Sequence, residues 1–262
     1  MVSAPIDKER IKEMTRCGPD KIIECPKCKK LASVLTLQSA NTFGARTWTD
    51  GKMEAPGLPV QPKITKCSGC NQYFWLSDAK DVSENFFYRW ERKQEKKFFD
   101  KWCGKEVSES DNPKEDPEYL QEWKDAERVR KLSEAEYLEA ISLSVFSGKQ
   151  QELALRIMAW WACNDRFRLP RASPVYKPHS TPLQYPEEKA NLEHLLELLA
   201  IDDLALNYDD EILIKAEIMR ELGLFDDAVA LLNKFFPDGY NRLADFIRFI
   251  ALHHDCVVRE IG

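Results

Sequence analysis

Two hydrophobic patterns divide this chain. Between Ile22 and Trp75, β-branched and aromatic residues alternate with Thr, Ser, Gly and Pro in short runs. The runs at residues 32–38 (ASVLTLQ), 45–50 (ARTWTD), 63–67 (KITKC) and 72–76 (QYFWL) predict short strands. Asp50-Gly51 supplies a tight turn, and the proline-rich stretch 55–62 (APGLPVQP) cannot join a ladder. Beyond Ser77 the apolar residues recur at helical spacing. Ser77-Asp78 reads as the start of a helix running to Trp102, with Phe86, Phe87, Trp90, Phe98 and Trp102 on its apolar face.

The helical pattern continues through 117–132 (PEYLQEWKDAERVRKL) and 133–146, where Ser133 and Glu136 have capping-box spacing. Residues 150–167 (QQELALRIMAWWACNDRF) are apolar enough for a central buried helix. Four more helices are expected at 187–200, 209–222, 226–236 and 239–258. Residues 103–118 and 169–188 are polar or proline-rich and read as linkers over the surface. The fold class is therefore α+β, mostly α: a small β unit followed by a bundle of helical hairpins. The partition is an N-terminal extension at 1–21, the β unit at 22–77 and a helical domain at 78–262.

Eight cysteines change the picture of the first part, because four of them form two Cys-x-x-Cys pairs, Cys25/Cys28 and Cys67/Cys70. Each pair falls at a strand boundary, the layout of a zinc ribbon in which the metal replaces a core too small to hold itself. The 38 residues between Cys28 and Cys67 exceed the roughly 15–20 usual for such sites, and the Asp50-Gly51 hairpin with the proline-rich loop takes up the excess. One structural Zn2+ on four thiolates is the expected cofactor. A redox Cys-x-x-Cys normally opens a helix after a strand, whereas strands follow both copies here.

The formal charge is −6, unevenly spread: residues 1–80 carry 13 Lys/Arg against 8 Asp/Glu, and residues 171–262 carry 9 against 17. A weakly basic head on an acidic body lacks the concentrated basic face of a dedicated nucleic-acid binder. The charged first residues and the lack of long apolar runs point to a cytoplasmic protein without a membrane segment.

The stretch NTFGARTWTDG (41–51) is more elaborate than a linker requires. Phe43, Trp48 and Asp50 are candidates for contacting a partner; in the plainer reading, the two rings cover the zinc knuckles. In NDRFR (164–168), Trp161 with Asn164, Asp165, Arg166 and Arg168 could form a ligand pocket, against an internal Asp–Arg pair that pins the helix end. The acidic run Asp202, Asp203, Asp209, Asp210 and Glu211 reads as helix capping. His253-His254-Asp255 lacks the further ligands of a metal phosphohydrolase, and no phosphate loop, His-Glu-x-x-His or Gly-x-Ser-x-Gly occurs. A small Ala216, Gly223 at a turn, Phe225 and Ala228 follow the order of one tetratricopeptide hairpin, near 209–236, without a 34-residue repeat around it.

Together, CPKC, NTFGARTWTDG, KITKCSGCNQYFW, LRIMAWWACNDRFR and AEIMRELGLFDDAVALL resemble a bacterial protein family of unassigned function, with an N-terminal zinc ribbon and a tetratricopeptide-like helical region. The resemblance implies zinc on Cys25, Cys28, Cys67 and Cys70 and brings no activity. The expected function is a non-catalytic zinc-binding adaptor for a protein partner. Two alternatives stand beside it. One is nucleic-acid binding by the ribbon, with Lys27, Lys29, Lys30, Arg46, Lys63 and Lys66 on phosphates and Trp48 or Phe43 stacking. The other is an enzyme site near Trp161–Arg168.

Overall fold

The computed structural model describes residues 15–83, 117–168, 178–179, 185–201 and 207–261, and combines strands with a larger share of helix. The chain divides into two compact units, Met1–Asn41 with Gly57–Leu132, and Thr42–Pro56 with Ser133–Gly262. That division differs from the expected one inside the ribbon and after it. Residues 42–56 leave the first unit for the helical one, and residues 78–132 are grouped with the ribbon.

In the first unit, β1 (Arg16–Cys17) pairs with β4 (Leu37–Ser39). Strands β2 (Lys21–Glu24) and β3 (Leu31–Val34) form an antiparallel hairpin, which β9 (Lys80–Asp81) extends beside β2 and β10 (Glu127–Arg128) extends in parallel beside β3. A second hairpin pairs β7 (Ile64–Lys66) with β8 (Tyr73–Trp75). Ile23, Cys25, Cys67 and Phe74 are the buried centre, with Val34, Leu76 and Val129 packed against them.

The helix expected from Ser77 does not begin there. Residues 76–78 make one 3₁₀ turn and the chain re-enters the sheet at β9. Ser83 fixes this course: its buried hydroxyl accepts from Ile22 N–H and donates to Asp81. Backbone pairing with an existing edge outweighs a helical pattern there. The rest of that expected helix lies outside the described residues. Likewise α1 (Pro117–Lys124) stops early, because Glu127–Arg128 pair with Ala32 and Ser33.

In the second unit, α2 (Glu134–Ser142) starts with the expected capping box on Ser133 and Glu136. Helix α3 (Lys149–Asn164) is buried through Leu155, Ala159, Trp160 and Cys163, and ends in a 3₁₀ turn at Asp165–Phe167. It packs with α4 (Pro186–Leu199), whose Leu192, Leu195 and Leu199 share a core with Trp160 and with Ile218 of α5 (Tyr208–Glu221). Helices α5 and α6 (Phe225–Leu232) form a hairpin around Gly223, which has φ of 80°, a conformation that costs a side-chain-bearing residue energy. Ala216 and Ala228, on the two helices of this hairpin, are fully buried. Helix α7 (Asn241–Leu252) ends short of the expected residue 258, and the chain finishes in β11 (Glu260–Ile261).

Strand β11 pairs with β5 (Arg46–Trp48), which also pairs with β6 (Met53–Glu54). The stretch NTFGARTWTDG is therefore the centre of a three-stranded sheet in the helical unit. The expectation that its rings cover the zinc knuckles is overturned: Trp48 is buried in this unit, beneath the guanidinium groups of Arg46 and Arg168. No helix among the described residues is long and apolar enough to cross a membrane.

Candidate functional site

The two Cys-x-x-Cys turns are near copies of one another. In the first, Cys25 N–H donates to Lys30 O (2.9 Å) and Lys29 N–H to Cys25 O (3.1 Å). In the second, Cys67 N–H donates to Gln72 O (2.9 Å) and Asn71 N–H to Cys67 O (2.9 Å). The residue after each second cysteine, Lys29 or Asn71, takes a left-handed conformation with φ of 63° or 57°. That reversal turns both sulfurs of a knuckle to one side, and the β2–β3 and β7–β8 hairpins present the two knuckles to each other.

The four sulfurs lie within 4.8 Å of one another, with Cys25 to Cys70 at 3.8 Å and Cys28 to Cys67 at 3.5 Å. A tetrahedron with metal–sulfur bonds of about 2.3 Å has edges of about 3.8 Å, so the donor set fits a four-coordinate ion. Cys67 also accepts from Gly69 N–H at 3.4 Å. Burial pushes the Cys67 thiol up, but the N–H groups of Cys70 and Gly69 and the neighbouring thiols bring it down to about 7. Cys70 moves the other way: against the N–H of Gln72, which lowers it, burial and the neighbouring thiols push its thiol up to about 11. All four donors belong to the protein, an arrangement compatible with a zinc site.

The other candidates meet in the second unit. Asp50, whose side chain is completely buried, accepts from Arg168 through both oxygens, from Asn164 Nδ2 (3.1 Å) and from Lys52 N–H (3.2 Å). Trp161 Nε1 donates to the Asp50 carbonyl (3.0 Å). Asn164 also donates to Glu221 (3.0 Å), which accepts from Trp160 Nε1 (2.8 Å) as well. The turn carrying Asp50 is anchored a second time, where Thr49 donates to Glu217 and accepts from Arg259 N–H (3.0 Å). Glu217 in turn holds Arg220, fully buried, which also donates to the Asp255 carbonyl.

Asp165 lies at the edge of this cluster, paired with Lys52 and with Arg168 Nε (2.9 Å). Arg166 points elsewhere: both its Nη atoms reach Glu188, with Glu134 at 3.7 Å. Cys163 lies with these two carboxylates, and burial together with their charge pushes its thiol up to about 12. Phe43 is exposed. The candidates from NTFGARTWTDG and NDRFR thus converge, except Phe43 and Arg166, into one buried network.

The proposed anion pocket at Arg166 and Arg168 is replaced by ion pairs, and only 3% of the Arg168 side chain reaches solvent. Nucleic-acid contact through Arg46 and Trp48 is corrected too. Arg46 pairs with Glu260 at 2.6 Å, and Trp48 is buried. Of the acidic run, Asp209 pairs with Lys234 (2.9 Å) beside the Asn207 cap, while Asp202 and Asp203 lie outside the described residues. His254 stacks on Phe225, His253 lies tilted against Phe249, and Asp255 accepts from Arg259 (2.7 Å).

Glu217, Arg220 and Glu221 were missed by the sequence reading. A signal existed: they share a helix face with buried Leu213, which a solvated charged stripe would not do. Burial, aided by the charge of Glu217, raises the Glu221 carboxyl well above the ordinary carboxylate range. Comparison with known protein families, with curated proteins and with solved structures gives no match.

Proposed function

We propose that the protein is a non-catalytic adaptor, in which a zinc ion on Cys25, Cys28, Cys67 and Cys70 fixes the first unit and the helical unit binds a protein partner. The observation that carries this reading is the contrast within the helical unit. Its buried charges are engaged with one another, whereas large apolar side chains are exposed along the unit, five of them on its last three helices and their connections: Tyr208, Leu224, Phe235, Phe249 and Leu252. Single exposed apolar residues are ordinary on any surface, but five within one run of helical hairpins favour a contact face. The α5–α6 hairpin, with Ala216, Gly223 and Ala228 in tetratricopeptide order, fits that role, since such hairpins commonly present partner surfaces.

The test is partner recovery by the zinc-loaded chain against the variants Phe235→Ser and Phe249→Ser/Leu252→Ser. These side chains are exposed, so the fold should persist while partner proteins are lost. Unchanged recovery with every variant would count against the helical face.

A further inference from the structure

The helical unit holds a group of metal-ligating side chains of its own. Glu134 opens α2, Cys163 stands next to the end of α3, and Glu188 lies in the first turn of α4. Their carboxylate oxygens and the Cys163 sulfur lie within 4.8 Å of one another. Cys163 is 4% exposed and Glu188 3%, whereas the half-buried Glu134 side chain reaches solvent. The positive ends of α2 and α4 favour each carboxylate separately, but nothing in a helix terminus favours bringing the two together.

Arg166 is the cation of this group. It meets Glu188 through both Nη atoms and Glu134 at 3.7 Å, so one guanidinium faces two carboxylates. The shortfall shows at Glu134, where burial and the charge of Glu188 outweigh Arg166 and raise the carboxyl above its ordinary value. The Cys163 sulfur, buried beside both acids, has no hydrogen-bond partner among the described residues. A divalent cation would close the balance: two carboxylates and a thiolate carry three negative charges, and Arg166 with the ion carries three positive ones.

We propose that Glu134, Cys163 and Glu188 form a second zinc site, which ties the starts of α2 and α4 to the end of α3. One sulfur with two carboxylate oxygens is a donor set that zinc accepts, whereas magnesium and calcium take oxygen alone. Ligand atoms at about 2.0–2.3 Å from a tetrahedral zinc stand about 3.3–3.8 Å apart, so shifts of about 1 Å close the site. Arg166 can release Glu188 and stay in the group, because the rings of Phe167 and Tyr185 lie at 5.0 and 5.1 Å from its guanidinium. A cavity of about 10 Å³, lined by Cys163 and Glu188 with Asn164, Asn191 and Glu221, has room for about one water as fourth ligand.

The Cys163 proton, held up to about 12, must leave as the ion enters, so this zinc binds more weakly than the one on the four knuckle cysteines. The purified chain accordingly carries the knuckle zinc alone and takes up the second when metal is added. The site is independent of the partner face.

The experiment adds Co2+ to the full chain already holding one zinc, because cobalt bound by a thiolate gains a charge-transfer absorption that oxygen ligands do not give. One equivalent should bind with the absorption of a single thiolate, and added Zn2+ should displace it. Cys163→Ala should abolish the absorption. Glu134→Gln, on the exposed side of the group, leaves the core untouched and should weaken the site at least about tenfold. Both variants should keep the knuckle zinc and the exchange protection of α3. Cys17→Ala, which removes an exposed thiol, should change nothing. No thiolate absorption, absorption that survives Cys163→Ala, or uptake indifferent to Glu134→Gln would overturn the proposal.

Discussion

Replacing Asp50 by Asn tests whether the buried network holds the β5–β6 turn to the helical unit. The substitution keeps the shape but removes the charge and turns one acceptor oxygen into a donor. Asp50 accepts from Arg168 Nη1 at 3.2 Å, Lys52 N–H at 3.2 Å and Asn164 Nδ2 at 3.1 Å, besides Arg168 Nη2, so at least one donor then faces an amide NH2. Breaking a buried ion pair by removing one partner costs about 3–5 kcal/mol. Arg168 keeps Asp165 through Nε, which places the expected loss at the lower end, about 3 kcal/mol. For a unit of this size that corresponds to a Tm lower by about 6–12 °C.

Native-state hydrogen exchange of the α3 amides reads the stability of this unit without contribution from the ribbon. Arg168→Met should cost a similar amount. The double variant should fall short of the sum by at least about 1.5 kcal/mol, because it leaves no unpaired charge. A loss below about 1 kcal/mol for Asp50→Asn, or additive single effects, would refute the reasoning.

Three further outcomes follow from named groups. Metal analysis should find one zinc ion per chain, and Cys70→Ser or a strong chelator should remove it and unfold the first unit, seen as lost exchange protection in β2, β3, β7 and β8. The stability of the second unit should fall as pH rises above about 4.3, the ordinary glutamate value. There the unfolded chain releases the Glu221 proton that the folded chain retains, until the raised folded pKa is passed. Glu221→Gln should flatten that slope in urea midpoints measured across pH, and an unchanged slope would remove Glu221 as its source. Gly51→Ala should cost about 1 kcal/mol from backbone strain alone, since φ is 78° and nothing lies within 4 Å of the added carbon. A neutral result in thermal melts would contradict that turn geometry.

The knuckles and most helices were legible because their signals are local. Cys-x-x-Cys spacing, the Ser133 capping box and the apolar period of α3 each specify geometry within a few residues. What escaped depends on pairing at long range. Nothing near Arg46–Trp48 announces that β11, more than 200 residues later, will be its neighbour. Glu127–Arg128 continue a helical pattern, yet backbone hydrogen bonds to β3 draw them into a sheet. Asp50, Asn164 and Arg168 were singled out by their density of polar groups. Their convergence needed Glu217 and Glu221, charged residues on a helix face that reads as solvated until its apolar neighbours are considered.

Among the described residues the polar clusters of the helical unit are paired internally, which leaves its exposed apolar side chains to meet the proposed protein partner. The most direct measurement of that recognition is the recovery of proteins by the zinc-loaded chain from an extract of its native cells, compared before and after nuclease treatment. A defined set of proteins should persist after nuclease and be lost with Phe249→Ser/Leu252→Ser. Recovery that collapses on nuclease treatment, or persists unaltered in that variant, would contradict the adaptor reading.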